Sequence, residues 1–589
     1  MTYFAPGPLS IWGAYNKHSW LPQILPACSE LPCLLRAVAP FRDTATLIYL
    51  ECFSSGIIPD LSHREQRHTR AKYDRSSTPL CDLIMATSTT MTQVQNIPWF
   101  TALWTLPLLY LVAKIVYNIY FHPLAKFPGP FFAKFTSIYP MMSMVRMNRI
   151  RWQHEMLEKY GSPVRVGTNE LYFSDMKSWQ DIYGQSSNPC PKEKVFYDMF
   201  TATGAVSILN ERNKAAHARL RRLVSHAFSL KGLLQDEPMI HQKVKTLLDV
   251  VFAPAAATKE PVDIFHKLLD HYLDITTYLS FGQSFDCVSG KGTLNHDDLD
   301  AFMQTVPLQA FFPPLRRVPL KKIQDAYKAL DRLIKFAEKS VKDFYDKIEK
   351  NGDDYARGTF LRNLADAVDP ETGSKLTGPE LVENSILFLV AGSDTTAVTS
   401  LYTIWEIGRR PDVRKKLLDE IRTTFPDPKH EPTYEETTEL EYLNACIEET
   451  LRIWGPLSAG FPRVSPGKTI GDHFIPAGVQ VATPAYVTCR DPKVFPNPTE
   501  YIPERWLNAT SDMKNMSRPF SYGPRNCIGK HLADIGLHLT LTRLYQLYDI
   551  EIDPSMTDAM MVQKDRGVSA PWDEKLIVRP TFVHEGIGS

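Results

Sequence analysis

Ten residues near the C-terminus, Phe520-Ser521-Tyr522-Gly523-Pro524-Arg525-Asn526-Cys527-Ile528-Gly529, confine one cysteine to a glycine-flanked turn. A run that reads as a helix, Lys530 to Tyr548, follows directly. Gly523 and Gly529 let the backbone come close to a flat group where a Cβ would clash. Amide N–H groups in such a turn, and the N-terminal end of the following helix, stabilise a thiolate. Arg525 carries a permanent cation suited to a carboxylate. On residue type alone a free cysteine is most often a buried, inert thiol. The spacing Phe-x-x-Gly-x-Arg-x-Cys-x-Gly weighs against that reading, because five specified positions seldom coincide by chance, and a cysteine held in such a turn has what an anionic sulfur ligand to a haem iron needs. A thiolate ligand pushes electron density onto iron and favours O–O cleavage.

The chain's 589 residues, 44% of them hydrophobic, allow a large core. Length alone would suggest about three or four domains. Formal net charge is zero, so the basic signature of a nucleic-acid partner is missing. Nine cysteines are scattered without paired metal-ligand spacing, which fits a reducing compartment better than a disulfide framework.

The main hydrophobic segment is 97–121, IPWFTALWTLPLLYLVAKIVYNIYF. It is long enough to be a transmembrane helix, with Trp99, Trp104, Tyr117 and Tyr120 near its ends. Its one charge, Lys114, can snorkel to an interface. A buried core helix is the alternative. Lys126 and Lys134 follow, which puts the C-terminal side in the cytosol. Phe127-Pro128-Gly129-Pro130 then forms a stiff hinge. Residues 1–84 do not fit this order. They carry four of the nine cysteines and end in a basic cluster, Arg64, Arg67, Arg70, Lys72 and Arg75, that opposes the inferred orientation. Met85 opens the uncharged MATSTTMTQVQN, which runs straight into the span. The native start is therefore expected at Met85 or Met91, with the extension a start-site error. A genuine leader is the alternative.

Thr377-Gly378-Pro379-Glu380 reads as a capping box with proline in the first turn, opening a long apolar helix. In its middle lies Ala391-Gly392-Ser393-Asp394-Thr395-Thr396. Each polar residue there costs propensity or burial, so the stretch is either a solvated kink or a site. Glu449 and Arg452 are three apart on one face of a second helix, Leu440 to Trp454. Taken alone, that pair reads as a surface ion pair worth at most about 1 kcal/mol. His217 and Arg221 share a third helix face. Two glycosylation sequons, at Asn508 and Asn515, are read as chance matches.

With these landmarks in this order, the chain from about Leu124 to about Pro580 resembles the cytochrome P-450 family, the haem-thiolate monooxygenases. The resemblance implies a mostly α fold with small β-sheets, a single large domain at 125–585 on an N-terminal membrane anchor. It implies heme b (iron protoporphyrin IX) with Cys527 as axial cysteine thiolate. Arg525, His217, Arg221, Arg463, Phe520 and Gly529 would contact the haem. Gly392 would open a groove for O2, Thr395 would assist proton delivery to it, and Asp394 would gate protons from solvent. Glu449, Arg452 and Arg505 would form a buried structural triad that fixes the segment presenting the cysteine loop.

The stretch 195–210, loop-like and rich in Phe196, Tyr197, Met199 and Phe200, would line the substrate pocket. Leu387, Ala391 and the turn Leu457-Ser458-Ala459-Gly460 would complete it, with Ala459 leaving room beside the haem. The expected reaction inserts one oxygen atom of O2 into a C–H or C=C bond of a lipophilic small molecule, terpenoid or polyketide. Electrons would come from an NADPH-dependent flavoprotein reductase at the membrane. The enzyme would be single-pass in the endoplasmic reticulum membrane, its catalytic domain cytosolic. Residues 110–130 resemble the opening of fungal secondary-metabolite hydroxylases. Two other readings stay open: a haem-thiolate isomerase or dehydratase that needs no external electrons, and a non-catalytic haem-binding sensor.

Overall fold

The computed structural model describes residues 99–292, 313–352, 354–356 and 359–583, with Leu299 and Met303. All lie in one unit, Pro98–Ser589. The expectation for residues 1–84 falls outside the described residues. Helix α1 (Trp99–Val116) comes first and a π-turn, Tyr117–Phe121, extends it. Among the described residues it holds the one stretch long and apolar enough to cross a membrane, Trp104–Phe121. Trp104, Leu106, Tyr110 and Tyr120 are all exposed, so among the described residues these side chains have no core to pack against.

After the proline hinge come α2 (Ile138–Val145), α3 (Arg149–Tyr160) and the hairpin of β1 (Val164–Gly167) and β2 (Glu170–Tyr172). Three short helices follow: α4 (Met176–Tyr183), α5 (Lys194–Asp198) and α6 (Lys214–Ser225). The fold is centred on the crossing of α7 (Phe265–Phe281) with α9 (Gly378–Gly408), against which α8 (Lys321–Asn351) also packs. The predicted capping box is present: Thr377 and Glu380 bond each other's backbone N–H, with Pro379 in the first turn. Most of α9 is buried, as a helix that is apolar nearly all round must be.

Gly392 lines the cavity, and it also has a packing task that its sequence context does not reveal. A Cβ there would sit 2.7 Å from Thr276 Cγ2 of α7. The glycine lets two helices approach, and α9 runs through this point without a break. Helices α10 (Glu441–Trp454) and α11 (Lys530–Leu547) pack around this pair. Helix α11 stops one residue short of the reading because Tyr548 opens a strand.

The sheets are small. Strands β3 (Arg463–Val464) and β4 (Gln480–Ala482) complete a four-stranded sheet in the order β1-β2-β4-β3, with β2 parallel to β4. Strands β5 (Gln563–Asp565) and β6 (Ser569–Pro571) form a hairpin turning at Arg566 and Gly567. A three-stranded sheet joins 262–263, 548–552 and 577–582. The architecture is mostly helical with small sheets.

Candidate active site

The cysteine loop is fixed by its own backbone. Cys527 N donates to Phe520 O at 2.9 Å, and Asn526 N to Gly523 O at 3.1 Å. Gly523 adopts φ +75°, and a Cβ there would lie 2.4 Å from Tyr183 O. Its glycine is thus demanded by the end of α4, a correction to the reading that placed a flat ligand there. Gly529 answers that reading better: a Cβ would project beside Cys527 Sγ at 3.9 Å. Arg221 of α6 braces the loop, donating from Nη1 to Asn526 O at 2.9 Å and from Nη2 to Asn526 Oδ1 at 2.5 Å. Cys190, Cys287, Cys446 and Cys489 are buried, whereas Cys527 is open, and the space it faces is an interior cavity. Burial pushes the Cys527 thiol up; the Gly529 amide and the Arg221 charge pull it down.

Helix α10 anchors a saturated ionic frame. Glu449 Oε2 accepts from Arg452 Nε at 2.8 Å and Oε1 from Arg452 Nη2 at 2.8 Å. Arg505 Nε reaches Oε1 at 2.9 Å. All three side chains are buried, so the pair is no surface contact. Trp506 Nε1 adds a bond to Oε2 at 2.8 Å, a member that sequence reasoning missed.

The cavity has a volume of about 590 Å³. The expected pocket residues Phe196, Phe200, Leu387, Ala391 and Ala459 all line it. Residues 194–198 are helical, contrary to the loop-like reading, because Glu193 caps the N–H groups of Val195 and Phe196. Thr395 lines the cavity and donates from Oγ1 to Ala391 O at 2.7 Å. Asp394 is buried and directed at Arg566, with Oδ2 3.6 Å from Nη2. Arg566 Nη1 lies 3.7 Å from Glu574 Oε1, which pairs with Lys564 at 2.9 Å. This chain of charges from α9 to the partly exposed Glu574 had no signal in the sequence.

One flank of the cavity gathers Lys192, Arg221, Arg463 and Arg525 around His217. Lys192 is buried and donates from Nζ to Leu209 O at 2.6 Å and Ile208 O at 3.1 Å. Burial, then Arg525 and Arg463, lower it from 10.5 to about 6. Burial and the same cations lower His217 from 6.5 to about 3, so its imidazole is neutral at neutral pH. Burial, with Arg463 beside it, brings Arg525 down to about 10, still a cation. Arg463 stacks near Tyr183 and Tyr197, its guanidinium carbon 5.6 and 5.7 Å from their rings. Its buried Nε has no hydrogen-bond partner among the described residues. Like charges crowd this way at low cost only when an anion completes them. The donor set therefore fits haem: a sulfur on the cavity, a glycine beside it, apolar walls, and a cationic flank for two propionates. Lys192 was missed because Pro191-Lys192-Glu193-Lys194 reads as solvated charge.

The profile described as Cytochrome P450 matches residues 128–576. The chain is 32% identical over 476 residues to the cytochrome P450 monooxygenase ORF9 of Penicillium roqueforti, covering 79% of this chain and 91% of that protein. It is 31% identical over 452 residues to the cytochrome P450 monooxygenase BOT4 of Botryotinia fuckeliana, covering 75% and 84%. Against the cytochrome P450 monooxygenase astD of Aspergillus oryzae the identity is 32% over 444 residues, covering 73% and 84%.

Proposed function

The chain belongs to the cytochrome P450 monooxygenase family, and from that premise we propose that it binds heme b with Cys527 as axial thiolate and hydroxylates or epoxidises a lipophilic small molecule. The family brings a haem-thiolate centre, O2, a redox partner and a small-molecule substrate. When bound, the haem supplies the oxygen-activating chemistry. In this reading Arg525, Arg463, Arg221, Lys192 and neutral His217 hold the propionates, and Phe520 and Gly529 pack against the ring. Thr395 presents its hydroxyl proton at Oγ1 beside Ala391. Asp394, held by Arg566, passes protons inward from the side where Glu574 meets solvent. Leu387, Ala391, Phe196, Phe200 and Ala459 exclude water and shape the pocket. Glu449, Arg452 and Arg505 keep the cysteine loop in place.

The observation that carries this reading is that Cys527 and Thr395 line one cavity, flanked by a cationic cluster with an orphaned Arg463 Nε. The apolar walls and the fungal relatives support a terpenoid or polyketide substrate in fungal secondary metabolism. The electron donor is an NADPH-dependent flavoprotein reductase. The exposed apolar α1, followed by Lys126 and Lys134, supports a single-pass anchor at 97–121 in the endoplasmic reticulum membrane, with 125–585 in the cytosol.

The test of the central claim is Cys527→Ser. It should abolish the strongly red-shifted Soret band of the reduced CO complex, since a hydroxyl does not replace thiolate donation. Retention of the band makes another cysteine the ligand.

A further inference from the structure

Polar groups in an apolar cavity state what a ligand must satisfy, because a buried polar atom left without a partner costs about 1–3 kcal/mol. Beyond the cationic flank and the residues of α9, the charged groups on the cavity wall are Arg149, Asp565 and Arg566, the last directed at Asp394 and Glu574. Arg149, the first residue of α3, stacks on Phe196 with its guanidinium carbon 5.2 Å from the ring centroid. It donates from Nη2 to Gly460 O at 2.7 Å. Among the described residues no ion pair joins Arg149 to a carboxylate, although its charge acts on both Glu170 and Asp565. Asp565, the last residue of β5, is tied to the same corner by its backbone, whose N–H donates to Met147 O at 2.8 Å. Its Oδ1 accepts from Gly567 N at 3.1 Å. Its Oδ2 is buried and has no hydrogen-bond partner among the described residues. Burial pushes the Asp565 carboxyl up, and the nearby Arg149 charge and the Gly567 amide offset that push only in part. The two opposite charges line one cavity without forming an ion pair.

Three kinds of ligand treat this pair differently. A plain hydrocarbon leaves Asp565 Oδ2 without a partner and Arg149 with only its bond to Gly460 O and its stacking on Phe196. A carboxylate satisfies Arg149 but meets Asp565 charge against charge. A hydroxyl accepts from Arg149 and donates to Asp565 with one oxygen. We propose that the substrate is a lipophilic skeleton that already bears a hydroxyl group, and that Arg149 and Asp565 bind that hydroxyl while the apolar remainder extends toward Ala391 and Thr395. This rests on the monooxygenase reading of the same cavity. It puts the reaction after a step that installs a hydroxyl: an earlier oxygenation, or a skeleton-forming reaction whose carbocation is quenched by water, with loss of a proton.

The test uses the full-length holoenzyme and three probes on one skeleton: farnesene, farnesol and farnesoic acid. Dissociation constants are read from the ligand-induced Soret shift and, independently, by equilibrium dialysis. Farnesol should bind at least about tenfold more tightly than farnesene, the effect of one net hydrogen bond to a charged group. Asp565→Asn and Arg149→Met should each remove most of that preference and leave farnesene affinity where it was. The CO spectrum of each variant checks that it folds and loads haem. Should Arg149→Met lose that spectrum, because Arg149 also braces Phe196 and Gly460, Asp565→Asn decides alone, since asparagine keeps the acceptor for Gly567 N. Equal affinity for farnesene and farnesol, tighter binding of farnesoic acid, no binding of any probe, or a farnesol preference that survives substitution overturns the proposal. A wild-type protein without the thiolate CO spectrum instead defeats the haem reading beneath it, so the two failures are distinct.

Discussion

The Glu449 frame and the cavity wall formed by α9 and β5 are held in opposite ways. Glu449 accepts five hydrogen bonds, from Arg452 twice, Arg505, Trp506 and the amide of Ile502. Arg452 directs its other donors to Cys489 O, Pro498 O and Glu500 O. The cavity wall is held less completely: Glu383 of α9 accepts three hydrogen bonds from Ala202 and Thr203, but other groups on the wall are not matched in this way. Thr395 bonds only within its own helix, and Asp565 Oδ2 has no hydrogen-bond partner among the described residues. A buried charge cluster is stable in one arrangement only, the one in which every donor and acceptor is matched. A wall with unmatched groups keeps interaction energy available for a ligand. Substitutions in the frame should therefore change stability, and substitutions on the wall should change chemistry.

The largest effect expected from this contrast is at Glu449→Gln. It leaves Arg452 buried beside a neutral amide, which should cost about 3–5 kcal/mol. Denaturant unfolding of the holoprotein measures it, and a stability equal to wild type would erase the distinction between the two regions. Next comes Gly392→Ala, where α9 meets α7 beside the cavity. The added methyl meets Thr276 Cγ2 at 2.7 Å, so overpacking should cost about 1–3 kcal/mol. Thr276→Ser in the same chain should restore most of the loss. It removes the obstructing methyl and keeps the hydroxyl that bonds Tyr272 O at 2.9 Å. A double variant no more stable than the single one would return Gly392 to the role of an oxygen groove.

The parts readable from sequence were those that local rules determine. The capping box at Thr377, the start of α10 beside Leu440 and the helix after Gly529 all depend on residues within one turn of each other. The same is true of the Glu449–Arg452 spacing, although its burial is not local. Gly392 and Gly523 were recognised as special, but the atoms that require them, Thr276 Cγ2 and Tyr183 O, lie far along the chain. Lys192, Arg149 and Asp565 gave no local signal. Each reads as ordinary surface charge, and only the meeting of α3, the β5–β6 hairpin and the 457–460 turn places the last two on one cavity. Periodicity reports which face of a helix is buried; it does not report which distant loop will be buried against it.

The smallest effect on stability, and the sharpest separation of the two regions, should come from Thr395→Ala. The hydroxyl makes one bond, to Ala391 O at 2.7 Å, and that carbonyl already belongs to an intact helix. Losing a back-bond of this kind costs little, and alanine favours the helix, so stability should stay within about 1 kcal/mol of wild type. Substrate affinity should also hold, because the change removes one polar atom from a wall whose apolar residues remain. What should fail is the timing of proton delivery to dioxygen. NADPH would still be consumed, and its two electrons and two protons would leave as hydrogen peroxide in place of hydroxylated product and water. The measurement is product and peroxide formed per NADPH, taken beside the unfolding midpoint of the same preparation. An unchanged ratio of product to NADPH would make Thr395 a helix residue with no part in the chemistry. A large drop in midpoint would mean that the wall, too, is held as rigidly as the frame.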